Sequence, residues 1–244
     1  MLNIMLLSGQ HLTSLPLAEL SDVKALKQRL HQEHGLPPRF RQRLLQDGHP
    51  LDDAVKLLAR LETDETAMDL QILIVAFSEV SEEQRQELNN AAWFGNAAKV
   101  EALLQLPMDP DPDAARDAGG RTPLMRASQG GTAKVAQLLL EAGAQKDVHD
   151  IEGRTALMYA AWSGHSEVVE LLLHAGAQTD LCDLKGRTAL ITAAWLGRES
   201  VVRLLLEAGA DTDLCDSSGQ TALILAATHG RTPVVRLLVD AGAT

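Results

Sequence analysis

The chain has 244 residues, and its formal net charge is −11. This length predicts one or two domains. Aromatic residues make up only 3% of the chain, which argues against a β-sandwich, because strands are enriched in aromatic side chains. The excess of acidic residues argues against nucleic acid and against an anionic membrane as partners, because both attract a basic surface.

Three features of the sequence indicate an intracellular protein. The N-terminus lacks the basic start and the long apolar stretch of a secretory signal. The longest apolar run, Ile72–Phe77, is far shorter than the roughly 20 residues of a membrane helix. Cys182 and Cys215, the two cysteines of the chain, are too few for a disulfide framework. We expect a soluble monomer in the cytoplasm, with the nucleus as the alternative compartment.

The first 77 residues combine strand and helix signals. The chain starts with a predicted hairpin, formed by Leu2–Leu7 and Leu12–Leu17 around Ser8-Gly9-Gln10. An amphipathic helix follows, which is capped by Ser21 and ended by Gly35-Leu36-Pro37-Pro38. A strand and turn at Arg43–Gly48 and a buried strand at Leu70–Phe77 complete the predicted elements. This order predicts an antiparallel hairpin and a helix, followed by strands that complete a sheet.

Two stretches of this region, SDVKALKQRLHQEHGLPP and RQRLLQDGHPLDD, resemble ubiquitin and ubiquitin-like domains. The resemblance implies a β-grasp fold over residues 1–77. Ubiquitin ends in a diglycine tail that is activated for conjugation, whereas the last strand here continues through Phe77 into SEVSEEQ. The resemblance therefore implies a docking module that is not conjugated to other proteins, and it makes proteins of the ubiquitin system candidate partners.

One face of this domain is a candidate docking patch. Leu45 and Leu73 match positions of the apolar patch through which ubiquitin is recognised. Arg39, Arg41 and Arg43 alternate along the sequence, so a strand would place them on one face. The candidate patch of the ubiquitin-like domain is therefore Arg43, Leu45 and Leu73. The alternative is an ordinary half-buried sheet.

From Asp117 onward the chain repeats one 33-residue unit. Each copy has a turn glycine, then a threonine that would cap a short helix, then a second turn glycine and a second helix. The copies start at Asp117, Asp150, Asp183 and Asp216. The first turn glycines are Gly120, Gly153, Gly186 and Gly219, and the threonines are Thr122, Thr155, Thr188 and Thr221. The second turn glycines are Gly131, Gly164, Gly197 and Gly230. The aspartates recur with the period, which favours a role in capping the turn over a role as paired catalytic carboxylates.

These motifs resemble the ankyrin repeat. The Thr-Pro-Leu-His box of that family reads Thr122-Pro123-Leu124-Met125 in the first copy, and an apolar residue replaces the histidine in every copy. An imperfect fifth unit starts at Leu88, and Ser81 with Gln84 predicts a capping box at the start of its first helix. A solenoid made of another kind of helix pair is the alternative.

The predicted fold class is α+β. An N-terminal β-grasp ubiquitin-like domain covers residues 1–77, a short linker and helix start covers 78–84, and an all-α ankyrin-repeat solenoid covers 82–244, with a cap repeat at about 85–116. The last copy stops at Thr244 without a polar helix. We therefore expect an uncovered face at Leu237, Leu238 and Val239, which hints at a longer natural chain or at a partner there.

The ankyrin resemblance implies a concave groove that is lined by the end of each first helix and by the turn before it. Trp162 and Trp195 lie there, 33 residues apart. The candidate partner-binding residues are Arg121, Arg154, Tyr159, Trp162, Lys185, Arg187, Trp195, Leu196 and His229. Tryptophan and arginine are typical of binding hot spots. The alternative is that the tryptophans only seal neighbouring repeats.

The sequence carries no phosphate-binding loop, no His-Glu-x-x-His pair and no Gly-x-Ser-x-Gly elbow. His31 and His34 have helical spacing but no third ligand. His149, Cys182 and Cys215 share a repeat position, yet stacked helices lie about 8–10 Å apart, which is too far for a shared zinc ion or a disulfide. We expect no catalytic residues, no metal and no cofactor.

The sequence therefore predicts a non-enzymatic adaptor that binds a protein partner through the concave face of its repeats and carries a separate docking module. Three alternatives remain open. The protein could be an adaptor or substrate receptor of the ubiquitin–proteasome pathway, the regulatory part of a larger enzyme, or a structural spacer.

Overall fold

The computed structural model describes residues 2–6, 8, 10–16, 20–46, 48–53, 68–74, 81–106, 110, 117 and 119–243. The chain divides into two compact units, Met1–Glu79 with Leu104–Met108, and Val80–Leu103 with Asp109–Thr244. The predicted strand end at 75–77, the start of the linker at 78–80 and most of residues 107–116 of the predicted cap repeat lie outside the described residues. The predicted domain boundaries therefore stay predictions.

The described residues of the first unit form a five-stranded mixed sheet and one long helix. Its elements are β1 (Leu2–Leu6), β2 (His11–Leu15), α1 (Val23–His34), a short 3-10 turn (Arg39–Arg41), β3 (Gln42–Gln46), β4 (His49–Pro50) and β5 (Met68–Ile74). The strand order is β2-β1-β5-β3-β4. β1 and β5 run parallel, and the other neighbours are antiparallel. The predicted hairpin, helix and strands are thus present.

Alternation along the strands builds the core of this unit. Successive strand residues face opposite sides of a sheet, so Ile4 and Leu44 point to the same side as Ile72. These three side chains are at most 2% exposed, and they belong to one apolar cluster with Leu26 and Leu30 of α1. The sheet therefore has one face covered by the helix, and its other face carries Arg43 and its strand neighbours.

Two sequence-based predictions in this unit are wrong. The N-cap of α1 is Asp22 rather than Ser21, because the Asp22 carboxylate accepts the backbone N–H of Ala25 at 2.8 Å. Arg39 and Arg41 lie in the 3-10 turn and not in a strand, so they do not share a face with Arg43. The sequence pattern alone could not reveal this turn, because alternating arginines are compatible with both conformations.

Arg39 is instead part of a buried ion triad. Its side chain is 1% exposed, and its Nη1 donates to Asp53 Oδ2 at 2.6 Å. Lys27, which is 2% exposed, donates from Nζ to Asp53 Oδ1 at 2.5 Å. Burial alone would raise the pKa of the Asp53 carboxyl, but the hydrogen bonds and charges of Lys27 and Arg39 outweigh it and hold this pKa below its ordinary value. The triad ties α1 to the chain on either side of β3 and β4.

The second unit is a row of helix pairs. The cap unit has α2 (Glu82–Trp93) and α3 (Ala97–Leu104); repeat 1 has α4 (Pro123–Gly130) and α5 (Ala133–Glu141); repeat 2 has α6 (Ala156–Ser163) and α7 (Ser166–His174); repeat 3 has α8 (Ala189–Leu196) and α9 (Glu199–Glu207); repeat 4 has α10 (Ala222–Thr228) and α11 (Thr232–Asp240). The inner helices α2, α4, α6, α8 and α10 pack on one another in that order, and so do the outer helices α5, α7, α9 and α11.

The predicted caps start and end these helices. Thr155 and Thr188 each accept the backbone N–H three residues later, and the other two repeats have the same contact. Ser81 and Gln84 form the predicted capping box. Gly131 has a left-handed backbone and ends α4, which confirms it as the match to Gly164. Because these signals are local, the sequence alone located them.

The hairpins that precede the inner helices are joined by backbone hydrogen bonds. The N–H of Leu184 donates to Glu152 at 3.0 Å, and the N–H of Ser217 donates to Lys185 at 2.9 Å. The corresponding bond between repeats 1 and 2 joins Ile151 to Gly119 at 3.2 Å. The hairpins thus form a continuous edge along the repeats.

The predicted open face at the end of the stack is only partly present. Leu238 is fully buried and Leu237 is half-buried, whereas Val239 is 54% exposed. Ile224 is 44% exposed, although Ile191, its equivalent in repeat 3, is 1% exposed. The exposed apolar side chains at this end are therefore Ile224 and Val239, because repeat 3 covers Leu238.

No helix of the described residues is long and apolar enough to cross a membrane.

The stacking of the hairpins can be tested at two glycines. Gly186 and Gly219 occupy the same hairpin position, and both have φ of +73°. A Cβ on Gly186 would lie 3.0 Å from the backbone nitrogen of Ser217, whereas a Cβ on Gly219 would meet nothing within 4 Å. We expect Gly219→Ala to cost about 1–2 kcal/mol because of its left-handed backbone. Gly186→Ala should cost about 1–3 kcal/mol more, because the next hairpin must move.

Urea unfolding measures the loss of stability in each variant. Because Gly219 lies in the last repeat, amide exchange is needed to show that a difference between the variants comes from the steric contact and not from the place of the glycine in the stack. The Ser217 N–H should exchange faster in Gly186→Ala than in Gly219→Ala, because only the former displaces the bond to Lys185. Equal exchange rates and equal losses of stability would contradict the described stacking.

The ion triad predicts a large effect of one substitution in the first unit. Asp53→Asn removes the carboxylate on which the two buried cations Lys27 and Arg39 converge, so we expect a loss of about 3–5 kcal/mol. Glu33→Gln is the matched control, because Glu33 pairs with Arg29 on the surface and should cost less than about 1 kcal/mol. Amide exchange of β1, β3 and β5 in the full chain measures both. Similar effects of the two variants would show that the triad does not stabilise this unit.

Candidate functional site

The first residue of each repeat holds the hairpin in shape. Asp150 Oδ1 accepts the backbone N–H groups of Glu152 and Arg154, both at 2.9 Å. Asp183 Oδ1 accepts those of Lys185 and Arg187 at the same distance. Repeats 1 and 4 repeat the pattern. The predicted turn-capping role of these aspartates is confirmed, and it holds the hairpin in shape although the histidine of the family is replaced at the start of the inner helix.

The second carboxylate oxygen holds an arginine in repeats 2 and 3. Asp150 Oδ2 lies 3.2 and 3.1 Å from Nε and Nη2 of Arg154. Asp183 Oδ2 lies 2.9 and 2.6 Å from the same atoms of Arg187. The two carboxylates are 0% and 4% exposed, whereas the guanidinium side chains are 27% and 25% exposed. Solvent therefore meets the cation of each pair rather than the anion.

Hydrogen bonding keeps these carboxyls ionised. Burial alone would raise the pKa of Asp183, but the bonds and charge of Arg187 and the backbone N–H of Lys185 hold it below the ordinary value. In repeat 4 the arginine position is Gln220, so Asp216 has no such cation. The row of bound arginines therefore ends at repeat 3.

The ring of Tyr159 contacts two of the arginines. Tyr159 is 4% exposed, and the guanidinium carbons of Arg154 and Arg121 lie 4.9 and 5.7 Å from its ring centroid. Its hydroxyl donates to Asp150 Oδ2 at 2.6 Å. Burial and the bond to Asp150 raise the pKa of Tyr159 well above its ordinary value. Tyr159 is therefore a neutral donor under the surface, and any effect on a partner passes through Arg154 and Arg121.

A cleft between repeats 2 and 3 brings most of the predicted partner-binding residues together. Its volume is about 280 Å³. Trp162 is 49% exposed, and Trp195 is half-buried. Six predicted residues line this cleft, namely Arg154, Tyr159, Trp162, Lys185, Arg187 and Trp195.

The other three predicted residues lie beside the cleft. Arg121 is half-buried and donates to Gln129, which itself lines the cleft. Leu196 is half-buried at the end of α8. His229 is exposed and contacts Trp195 edge-to-face, with the ring centroids 6.1 Å apart. Apart from Leu196, for which no contact with the cleft is shown, the predicted residues are therefore neighbours with their centre at repeats 2 and 3.

Hydrogen bonds fix the orientation of Trp195. Its Nε1 donates to Nε2 of His229 at 3.0 Å. An indole N–H can only donate, so Nε2 of His229 is the acceptor and the ring proton is on Nδ1. That nitrogen lies 2.9 Å from the carbonyl oxygen of Leu225 and donates to it. Repeat 4 thus holds the indole of repeat 3 in one orientation.

The sequence reasoning missed a third tryptophan at the same repeat position. Trp93 is the last residue of α2, is 37% exposed, and lies 5.3 Å from the Arg126 guanidinium. Its tripeptide, Ala91-Ala92-Trp93, recurs at Trp162 and Trp195. This tripeptide was the available signal. It was hidden because the spacing from Trp93 to the next copies is not a multiple of 33 residues.

Other apolar side chains extend this surface. Phe94, next to Trp93, is 80% exposed. Ile151 and Leu184, at the hairpin tips, are 68% and 77% exposed.

Among the described residues, no group of three or more His, Cys, Asp or Glu side chains is placed to hold a metal ion.

The candidate patch of the first unit lies on the sheet face opposite its core. Arg43 pairs directly with Leu73 across β3 and β5, and Leu45 is opposite Gln71. Leu73 is 37% exposed and Leu45 is half-buried. The guanidinium of Arg43 donates to the carbonyl oxygens of Phe40 and Gln105, which belong to the same unit. The three residues are thus neighbours, and two of them are apolar.

Comparison with known proteins agrees with this architecture. A family model for ankyrin repeats, three copies in length, matches residues 88–181 and 174–244. The matched residues are well over half of the chain, and the chain therefore belongs to the ankyrin repeat family. The sheet and helix of the first unit are consistent with a β-grasp-like domain, and the predicted α+β fold class is confirmed. No curated protein matches the chain.

The contribution of the hydrogen bond from Tyr159 to the Asp150 carboxylate can be tested by varying pH. Burial alone would raise the pKa of Asp150, but the bonds from Tyr159 and from two backbone N–H groups, with the charge of Arg154, hold it below its ordinary value. This stabilisation is present above pH of about 4 and is lost as pH falls through the folded-state pKa. We expect Tyr159→Phe to lower the free energy of unfolding by about 1.5–3 kcal/mol at pH 7.

Urea unfolding at pH 7 and pH 3 measures this difference, which should shrink at the lower pH. Thr192→Val is the matched control, because Thr192 occupies the same position beside Asp183. It should have little effect at either pH. A loss in Tyr159→Phe that does not change with pH would mean that the hydroxyl does not act through the carboxylate.

Proposed function

We propose that this protein is a non-enzymatic adaptor that binds a protein partner through the cleft between repeats 2 and 3. Ankyrin repeats are protein interaction modules and are typically non-catalytic. The observation that carries the proposal is the exposed indole of Trp162, which lines one cleft with Trp195 and a row of fixed cations.

The chemistry of this cleft favours protein binding. Tryptophan and arginine contribute most of the energy in protein interfaces, because both bury large surfaces and retain a polar group. Arg154 and Arg187 are already held by carboxylates, and Trp195 is held by His229. A partner therefore loses little side-chain entropy when it binds them. The stacked repeats provide a rigid support.

The first unit supports a second docking function. Leu45 and Leu73 lie beside Arg43 on the open face of the sheet, and this arrangement favours an adaptor of the ubiquitin system as a candidate function. The exposed thiols of Cys182 and Cys215 are consistent with a reducing compartment, and we propose the cytoplasm.

Affinity capture from a cell extract, read by mass spectrometry, tests both surfaces of the full chain. We expect Trp162→Ala and Trp195→Ala each to weaken the complex with a captured partner by about 30-fold, which corresponds to about 2 kcal/mol. Val239→Ala is the matched control, because Val239 is an exposed apolar residue on an outer helix. Leu73→Glu should instead remove proteins of the ubiquitin system and spare the partner of the tryptophans.

The stability of each variant decides how a negative result is read. If both tryptophan variants unfold more easily but bind equally well per folded molecule, the tryptophans only seal the repeats and the proposed binding site is wrong. If Leu73→Glu changes no captured protein, the first unit does not dock through this face.

A further inference from the structure

All three tryptophans of the chain occupy one position of the inner helices. Trp93, Trp162 and Trp195 each follow two small alanines, and all six alanines are at most 8% exposed. Gln129 occupies this position in repeat 1. Because α2, α4, α6 and α8 pack side by side, these residues form a row that crosses the helices. We call Trp93, Gln129, Trp162 and Trp195 the tryptophan row.

The spacing of the row favours one ligand conformation. Packed helices lie about 8–10 Å apart, so neighbouring positions of the row have this separation. A polyproline II helix has three residues per turn and rises about 3.1 Å per residue, so every third side chain returns to the same face after about 9 Å. In a β-strand the third side chain faces away, and in an α-helix three residues rise only about 4.5 Å.

Proline-rich segments also suit the exposed indoles. Aromatic-lined grooves bind such segments because the polyproline II conformation is preformed and loses little entropy on binding. Trp162 and Trp93 are exposed by 49% and 37%, so their ring surfaces are accessible to a proline ring. Gln129 would meet a polar residue of the same ligand face.

The cations of the cleft favour a ligand that carries acidic residues. Asp150 and Asp183 are buried, whereas Arg154 and Arg187 reach solvent above them. The ammonium group of Lys185 makes no ion pair within the described part of the chain, and the residue is exposed. A cleft that exposes cations favours an anionic ligand, even though the whole chain is acidic.

The exposed carboxylate of this cleft does not reverse that preference. Glu152, which is 55% exposed, pairs with Nη2 of Arg154 at 3.1 Å. It therefore offsets one guanidinium, and Arg187 is paired with Asp183, which leaves Lys185 as the cation that a ligand carboxylate can pair with.

We propose that the tryptophan row binds an acidic, proline-rich segment of a partner protein in the polyproline II conformation. Every third residue of the segment packs on the row, and a carboxylate between them pairs with Lys185. This inference rests on the proposed function, because it names the ligand chemistry of the same surface.

A synthetic ligand tests the proposal on the full chain. The probe is a fluorescein-labelled peptide of five Pro-Pro-Glu triplets, and fluorescence anisotropy measures its affinity. We expect saturable binding that Trp162→Ala and Trp93→Ala each weaken about tenfold. Lys185→Gln should weaken binding less and make it less sensitive to salt. Val239→Ala should leave the affinity unchanged.

Two control peptides separate conformation from charge. Five Gly-Ser-Glu triplets keep the charge without the proline face, and five Pro-Pro-Lys triplets keep the face with the opposite charge. Both should bind at least tenfold more weakly than the probe. Equal binding of the glycine peptide would overturn the conformational part, and equal binding of the lysine peptide would overturn the acidic part. Unchanged affinity in the tryptophan variants would overturn the site.

Two further outcomes distinguish this inference from the proposed function. If the probe does not bind but the tryptophan variants still lose a captured partner, the ligand chemistry is wrong and the protein-binding site stands. If neither changes, both proposals fail. Concentration-dependent self-association that Trp162→Ala abolishes, seen by sedimentation, would show that a second copy occupies the row and would overturn the inference.

Discussion

The buried aspartate at the start of each hairpin is the interaction on which the repeats and their binding surface depend. One oxygen of Asp150 or Asp183 accepts two backbone N–H groups, and the other holds an arginine in the same repeat. A buried carboxylate is stable as an anion only with such donors. The hairpins in turn bond to one another. The same contacts that shape the turn therefore fix the cations of the cleft.

This arrangement explains how an acidic chain exposes cations in one cleft. The chain carries a net charge of −11, but its hairpin carboxylates lie under the guanidinium groups that they hold. What a partner meets depends on which atoms of an ion pair reach solvent, and the total charge does not report this. Because Arg154 lies on the ring of Tyr159 and Trp195 bonds to His229, the surface is ordered before a partner arrives.

The first unit uses buried charge for a different purpose. Lys27 and Arg39 converge on Asp53 at the edge of the apolar core, where they join the helix to the chain around the short strands. Burying three charges is costly unless all are paired. This triad is therefore a constraint on which conformations the unit can adopt, and it leaves the opposite sheet face, with Leu45 and Leu73, open to other contacts.

The sequence by itself determined the 33-residue repeat and the helix caps within it, because these signals lie within one turn of each other. It predicted the hairpin, the helix and the strands of the first unit, but not the order of the strands in the sheet, because β1 pairs with β5 at the other end of the unit. It did not determine that Arg39 is buried or that Tyr159 lies beneath the arginines, since Arg39 bonds to Asp53 across two intervening strands and Tyr159 bonds from a helix to Asp150 of the preceding hairpin. It also missed Trp93, whose equivalence to Trp162 becomes clear only when the helices are stacked. Local signals fix local structure, whereas burial and side-chain pairing are decided by the tertiary structure, because only packing brings separated residues together.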